Sequence, residues 1–241
     1  MRGSIAWLSE RDSPDAFPPV KLALREPDGL LAAGGDLSPR RLIAAYRRGI
    51  FPWYSQGQPI LWWCPDPRAI LVPQEFKTSR SLAKTLRNGG CVTRIDTAFD
   101  AVIRACGSSE VRPGGTWLSV EMRAAYSILH RLGHAHSFET WRDDRLVGGL
   151  YGVAIGRVFY GESMFSLEND ASKVAMRRLC DELMAREFHM IDCQMATPHL
   201  LSLGAQLIPR SEFIERVETF AAIPAPAVSW ATPPADDPLR A

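Results

Sequence analysis

The segment from Leu150 to Gln194 constrains the fold of this chain more than any other. It reads as strand, acidic turn, helix and strand. Residues 158–165 (VFYGESMF) form the first strand, and Met190 to Gln194 form the last. Between them, Val174, Leu179, Leu183 and Cys180 give Ala171 to Glu187 an inward-packing helical face, with Asn169 or Asp170 placed to cap it. Side chains two apart on a strand share a face. This pairs Asp192 with Gln194, and Glu162 with Met164. A buried charge costs several kcal/mol unless it is paired. The expectation is therefore either a reacting centre built from two carboxylates, an amide and a methionine, or an edge strand with solvated polar residues.

The flanking sequence supplies the rest of a sheet. Ala69 to Val72 and His136 to Trp141 read as strands, and Leu146 to Val153 returns after a turn at Asp143 and Asp144. Helices are expected from Asp96 to Ala105, from Ser119 to Leu132, around His199 to Leu203, and from Ser211 to Phe220. Antiparallel hairpins followed by strand–helix–strand–helix predict an α+β fold with a mixed, mostly antiparallel sheet. Residues 1–68 differ in texture. They are rich in proline, glycine and tryptophan, with one capped helix beginning at Ser38-Pro39. They are expected to form a small N-terminal aromatic domain with little regular structure. Residues 69–223 would form the main domain, and the Pro/Ala-rich tail, 224–241, is expected to be loosely held.

Composition removes several classes. The net charge is +1, so any polyanion site must be a local patch. One candidate exists. Lys77, Arg80, Lys84 and Arg87 fall at i, i+3, i+7 and i+10, one stripe of a helix expected over Lys77 to Arg87, with no acid in the stretch. The alternative for this stripe is an ordinary solvated face. The five cysteines match no zinc or redox spacing, and their odd number fits reduced thiols in a cytosolic protein. There is no basic-then-apolar leader and no membrane-length apolar run. His134 and His136 alternate on one strand without a third metal ligand nearby. Cys193 is expected to face away from Asp192 and Gln194 as a structural thiol, and Ser163 lacks a nucleophile-elbow context.

The element order resembles the acyltransferase fold of the GNAT superfamily, in which the donor lies across a splayed pair of central strands. Acyl-CoA members carry a glycine-rich loop at the start of the central helix, where backbone N–H groups hold pyrophosphate. Here that stretch is Ser166 to Ala171, with no glycine and with Glu168, Asn169 and Asp170 instead. An acyl-CoA-dependent N-acyltransferase is therefore the second reading.

A narrower resemblance covers Phe17 to Val217. Its motifs are Leu30-Leu31-Ala32 with Gly34-Gly35-Asp36-Leu37-Ser38-Pro39, Arg48-Gly49-Ile50-Phe51-Pro52-Trp53, and Leu61-Trp62-Trp63 leading into Pro65-Asp66-Pro67-Arg68. Gly115-Thr116-Trp117, the run from Leu132 to Ser137, Gly161-Glu162-Ser163-Met164-Phe165-Ser166 and Ile191-Asp192-Cys193-Gln194 complete them. Together they resemble the leucyl/phenylalanyl-tRNA–protein transferase family. The resemblance implies a cytoplasmic, monomeric enzyme. It would move leucine or phenylalanine, and less well methionine, from aminoacyl-tRNA to the α-amino group of proteins beginning with arginine or lysine. The product would be marked for N-end-rule degradation. No cofactor and no metal are implied, because the aminoacyl ester is already activated. Asp192, Gln194 and Glu162 are then the expected catalytic set. Trp53 and Trp117 would stack on the terminal adenosine. Met164, Phe165, Met176 and Leu179 would hold the donor side chain, with plain core packing as the alternative for each. Lys77, Arg80, Lys84 and Arg87 would hold acceptor-stem phosphates. A non-catalytic tRNA-binding module would have no use for the carboxylates and amide.

Overall fold

The structure, a computed structural model, describes residues 5–108, 118–225 and 229–231. Two sheets organise it. The smaller has four strands in the order β1-β2-β4-β3: β1 (Ala6–Leu8), β2 (Leu30–Gly34), β3 (Phe51–Pro52) and β4 (Leu61–Trp63). The N-terminal segment thus has more regular structure than its sequence suggests. Its strands are two to five residues long, too short for a periodic signal. Helix α1 (Pro39–Tyr46) starts as expected, with Ser38 Oγ accepting from the Arg41 amide.

The larger sheet has seven strands in the order β11-β5-β10-β9-β8-β7-β6. These are β5 (Arg68–Leu71), β6 (Val92–Ile95), β7 (Ala135–Arg142), β8 (Arg145–Ile155), β9 (Val158–Ser166), β10 (Met190–Gln194) and β11 (Gln206–Ile208). All neighbours are antiparallel except β9 and β10, which α5 (Ala171–Ala185) joins as a crossover. The fold is α+β with a mixed, mostly antiparallel sheet, as the patterning predicts.

Helices cover both faces. On one side α3 (Phe99–Cys106) and α4 (Val120–Arg131) pack on Tyr151, Val153, Val158 and Tyr160. On the other, α5 and α2 (Arg80–Asn88) pack on Phe138, Leu150, Phe159 and Ile191. Gly148 permits the close approach of α5, since a Cβ there would lie 2.5 Å from Ala171 Cβ. The first core runs on into the N-terminal segment through Leu42, Tyr46, Phe51 and Trp62, and takes in Phe213 and Val217 of α7 (Arg210–Ala221). The short helix α6 (Pro198–Ser202) follows β10.

Three local expectations are corrected. Helix α2 begins at Arg80 with Ser79 as its cap, so Lys77 stands before the helix. Asp96 does not cap α3. It takes a positive φ and accepts from the Ser137 amide, and His136 Nδ1 donates to it at 2.7 Å. This bond gives His136 a structural role, and no metal-binding group of three or more His, Cys, Asp or Glu occurs among the described residues. Finally, part of the tail is firmly placed. Trp230 is 9% exposed, stacks on His136 at 4.1 Å and lies under the Arg186 guanidinium. Cys64, Cys91, Cys106, Cys180 and Cys193 are all free thiols. No helix among the described residues is long and apolar enough to cross a membrane.

Candidate active site

Strands β9 and β10 pair from Met190–Val158 to Asp192–Tyr160 and then part. Both strands carry a β-bulge at the fork. On β9, Tyr151 faces Ser163 while Gly152 faces Gly161, leaving Glu162 as the extra residue. On β10, Asp192 faces Ile70 while Gln194 faces Ala69, leaving Cys193 extra. A bulge inserts one residue, bends the strand and reverses the facing of the residues after it. The fork opens into a cavity of about 300 Å³ lined mainly by apolar side chains.

The bulges correct the expected facings. Before Glu162, Val158 and Tyr160 face α3 and α4. After it, Phe165 faces that side and Met164 faces α5. Glu162 and Met164 therefore point to opposite faces, although both border the cavity. Phe165, expected in the donor pocket, is 2% exposed in the α3/α4 core and does not line it. Met164, Met176 and Leu179 do line it, as do Gln194 and Trp53. Trp53 is 38% exposed at the cavity mouth, edge-on to Trp63 at 5.6 Å, and its carbonyl accepts from Trp63 Nε1. Trp117 lies outside the described residues.

Asp192 and Gln194 do not share a face either. Gln194 takes φ +56° at the bulge and turns into the cavity, where its Nε2 is buried and has no partner among the described residues. Asp192 is fully buried beneath it. Both carboxylate oxygens are held by Arg68, at 2.8 Å from Nε and 2.7 Å from Nη2, and Oδ1 also accepts the Gln194 amide at 2.9 Å. The Arg68 guanidinium lies between the rings of Phe51 and Phe213, 4.8 and 4.4 Å from their centroids. Such bidentate, ring-flanked geometry suits arginine and not lysine. Asp192 does not line the cavity and meets it through the Gln194 backbone amide.

Glu162 occupies the other bulge and borders the cavity. The Tyr46 hydroxyl of α1 lies 2.7 Å from Oε1, and the Tyr126 hydroxyl of α4 lies 2.7 Å from Oε2. The two hydroxyls lie 2.8 Å apart. Burial pushes the Glu162 carboxyl up to about 7, against the pull of the two tyrosines, and nearby Asp192 raises it further. Burial likewise raises both tyrosines well above their usual range.

This geometry sits in a chain with close relatives. The family model described as leucyl/phenylalanyl-tRNA protein transferase matches residues 70–218, and the one for that protein's N-terminal domain matches residues 35–66. A leucyl/phenylalanyl-tRNA–protein transferase of Azoarcus sp. is 56% identical over 226 residues, 94% of this chain and 95% of that one. Another, of Aromatoleum aromaticum, is 60% identical over 209 residues, 87% of each. The chain belongs to the leucyl/phenylalanyl-tRNA–protein transferase family. It is an enzyme, an aminoacyltransferase. Among solved structures, a GCN5-related N-acetyltransferase from Kribbella flavida superposes with TM-score 0.37 at 11% identity, over 71% of this chain and 61% of that one.

In this member of the leucyl/phenylalanyl-tRNA–protein transferase family, the start of α5 is acidic in structure as well as sequence. Glu168 pairs with Arg142 at 2.6 Å and Asp170 with Lys173 at 2.7 Å. Beside it, α2 packs on α5, with Thr85 Oγ1 donating to Asp170. Lys77, Arg80, Lys84 and Arg87 are all exposed, and none joins an ion pair among the described residues. Sequence reasoning misses Arg68, Tyr46 and Tyr126 as site residues. Arg68 is legible only as the end of the Pro65-Asp66-Pro67-Arg68 motif, and Tyr46 only as part of an apolar helix face. Polar tips on apolar bodies give no signal until their buried partners are known.

Proposed function

We propose that the protein transfers leucine or phenylalanine, and less well methionine, from aminoacyl-tRNA to the N-terminal α-amino group of proteins beginning with arginine or lysine. Such products would be marked for N-end-rule degradation in the cytoplasm, and the enzyme would act as a monomer. The observation that carries this reading is the forked cavity. Its methionine and leucine wall suits an unbranched apolar side chain. Glu162 and Gln194 border the same cavity, and an exposed tryptophan at the mouth can stack on the terminal adenosine, with Trp117 proposed as its counterpart.

The reaction is attack of the acceptor amine on the aminoacyl ester carbonyl, with the tRNA 3′ oxygen as leaving group and the proton shed by the amine ending on that oxygen. The amine has a pKa near about 8 and must attack neutral. Gln194 is suited to orient it, since its side chain lines the cavity and its amide carbonyl can accept an amine N–H while leaving the lone pair free to attack. Asp192 and Arg68 fix that amide's backbone. Catalysis is then chiefly positional and electrostatic. Glu162 is the group suited to the acceptor's cationic side chain. The exposed α2 cations would take acceptor-stem phosphates. The ester needs no further activation, so the reading calls for no CoA, nucleotide or metal. The start of α5 lacks the glycine loop that would offer backbone N–H groups to a pyrophosphate, which disfavours the acyl-CoA alternative. The test is incubation with radiolabelled leucyl-tRNA and peptides starting with Arg, Lys or Ala. Label should enter the first two, with neither chelator nor omission of CoA reducing it. Equal labelling of the Ala peptide would refute the acceptor assignment.

A further inference from the structure

The three oxygen contacts among Glu162, Tyr46 and Tyr126 raise a question of proton count. All three lie at 2.7–2.8 Å, within hydrogen-bond range. Each hydroxyl brings one proton. If both protons go to an ionised carboxylate, the two hydroxyl oxygens face each other at 2.8 Å with no proton between them. A third proton, on Glu162, resolves this. The carboxyl O–H then donates to one tyrosine, that tyrosine to the other, and the second back to the free carboxyl oxygen. The ring closes with every contact satisfied.

We propose that Glu162 rests as the neutral acid inside this ring and releases its proton when the cationic first side chain of an acceptor settles against it. The inference rests on the proposed acceptor, a protein beginning with arginine or lysine. The carboxyl O–H bond breaks, the proton passes to solvent, and an ion pair with the guanidinium or ammonium takes its place. Both tyrosines can then turn their protons onto the anion. The surroundings favour this. Tyr46 from α1 and Tyr126 from α4, raised well above their usual range, are neutral, Tyr151 from β8 packs edge-on to Tyr126, and across the fork Arg68 and Asp192 neutralise each other. Among the described residues, the cation that pulls the carboxyl toward ionisation, Arg68, is held in its pair with Asp192. The raised pKa of Glu162 is in accord. A neutral floor also leaves the donor's apolar side chain free of a competing charge until the acceptor arrives.

The experiment is infrared difference spectroscopy on the full chain with ¹³C-labelled glutamate. At pH 6 the peptide-free enzyme should show a glutamic acid C=O band that Glu162→Gln removes and that fades as pH rises through about 7. Saturating Arg-peptide at pH 6 should abolish the band and release a proton that the Glu162→Gln protein does not. Absence of the band at pH 6 would overturn the stored proton. Persistence of the band with bound Arg-peptide would overturn the release step. If Arg-peptides are not substrates at all, the proposed function fails while the peptide-free spectrum still decides the ring.

Discussion

At the scale of single residues, burial makes Glu162 a stability liability in alkaline solution. Its folded pKa, about 7, lies above the ordinary value of 4.5. A group raised in this way contributes fully below its unfolded pKa, and that contribution is lost as pH climbs through the folded one. Glu162→Gln should therefore raise Tm relative to the parent at pH 8, with the difference shrinking below about pH 7 and vanishing near about pH 4. A thermal melt series across that range checks it, and a constant offset would show that the carboxyl does not titrate in the fold. Asp192 behaves differently, because its charge is matched. Asp192→Ala would strand Arg68 in a fully buried position, at a cost of roughly 3–5 kcal/mol. Urea unfolding should register that loss alongside any loss of turnover, so the variant cannot by itself report on chemistry. Gln194→Ala is the cleaner probe. It should cut turnover at least about tenfold, with circular dichroism unchanged. Near-parental rates would remove the amide from the mechanism.

At the scale of elements, the sheet is legible in the sequence and its irregularities are not. Apolar alternation locates β7, β8, β9 and β10, and capping residues locate α1 and α4, because each signal repeats over several residues. A bulge is a single inserted residue and leaves no period to read. For this one reason strict alternation puts Glu162 on the same face as Met164 and Asp192 on the same face as Gln194, and the paired strands do not. The residues of the site are thus largely nameable from sequence, while their facings are set by pairing across the sheet. Helix α2 offers a test at this scale. Reversing the charges of Arg80 and Lys84 should weaken aminoacyl-tRNA binding, and the deficit should shrink as salt rises. An aminoacyl-adenosine donor should be little affected. Filter binding at several salt concentrations measures the first, and single-turnover transfer the second. An equal deficit with the small donor would place these residues in support of the pocket.

At the scale of the whole molecule, the division seen in composition near residue 68 does not divide the core. Leu42, Tyr46, Phe51 and Trp62 share one packed cluster with Tyr126, Tyr151, Tyr160 and Val217. Contacts of that separation are invisible in a single sequence, which shows texture but not adjacency. Calorimetry should accordingly give one cooperative transition, and two resolved peaks would show that the halves melt independently. Trp230 adds a closing contact from far along the chain, against Phe138, Phe159 and Phe188. The Tyr46–Glu162 bond has a consequence for inheritance. The two segments that match separate family models each hold part of one hydrogen-bonded group, so neither can be exchanged freely between lineages. A hybrid joining this N-terminal segment to a distant relative's remainder would be viable only if both sides of that handshake came along. Recombination across residue 68 is then constrained by three oxygen atoms, however well the two surfaces otherwise fit.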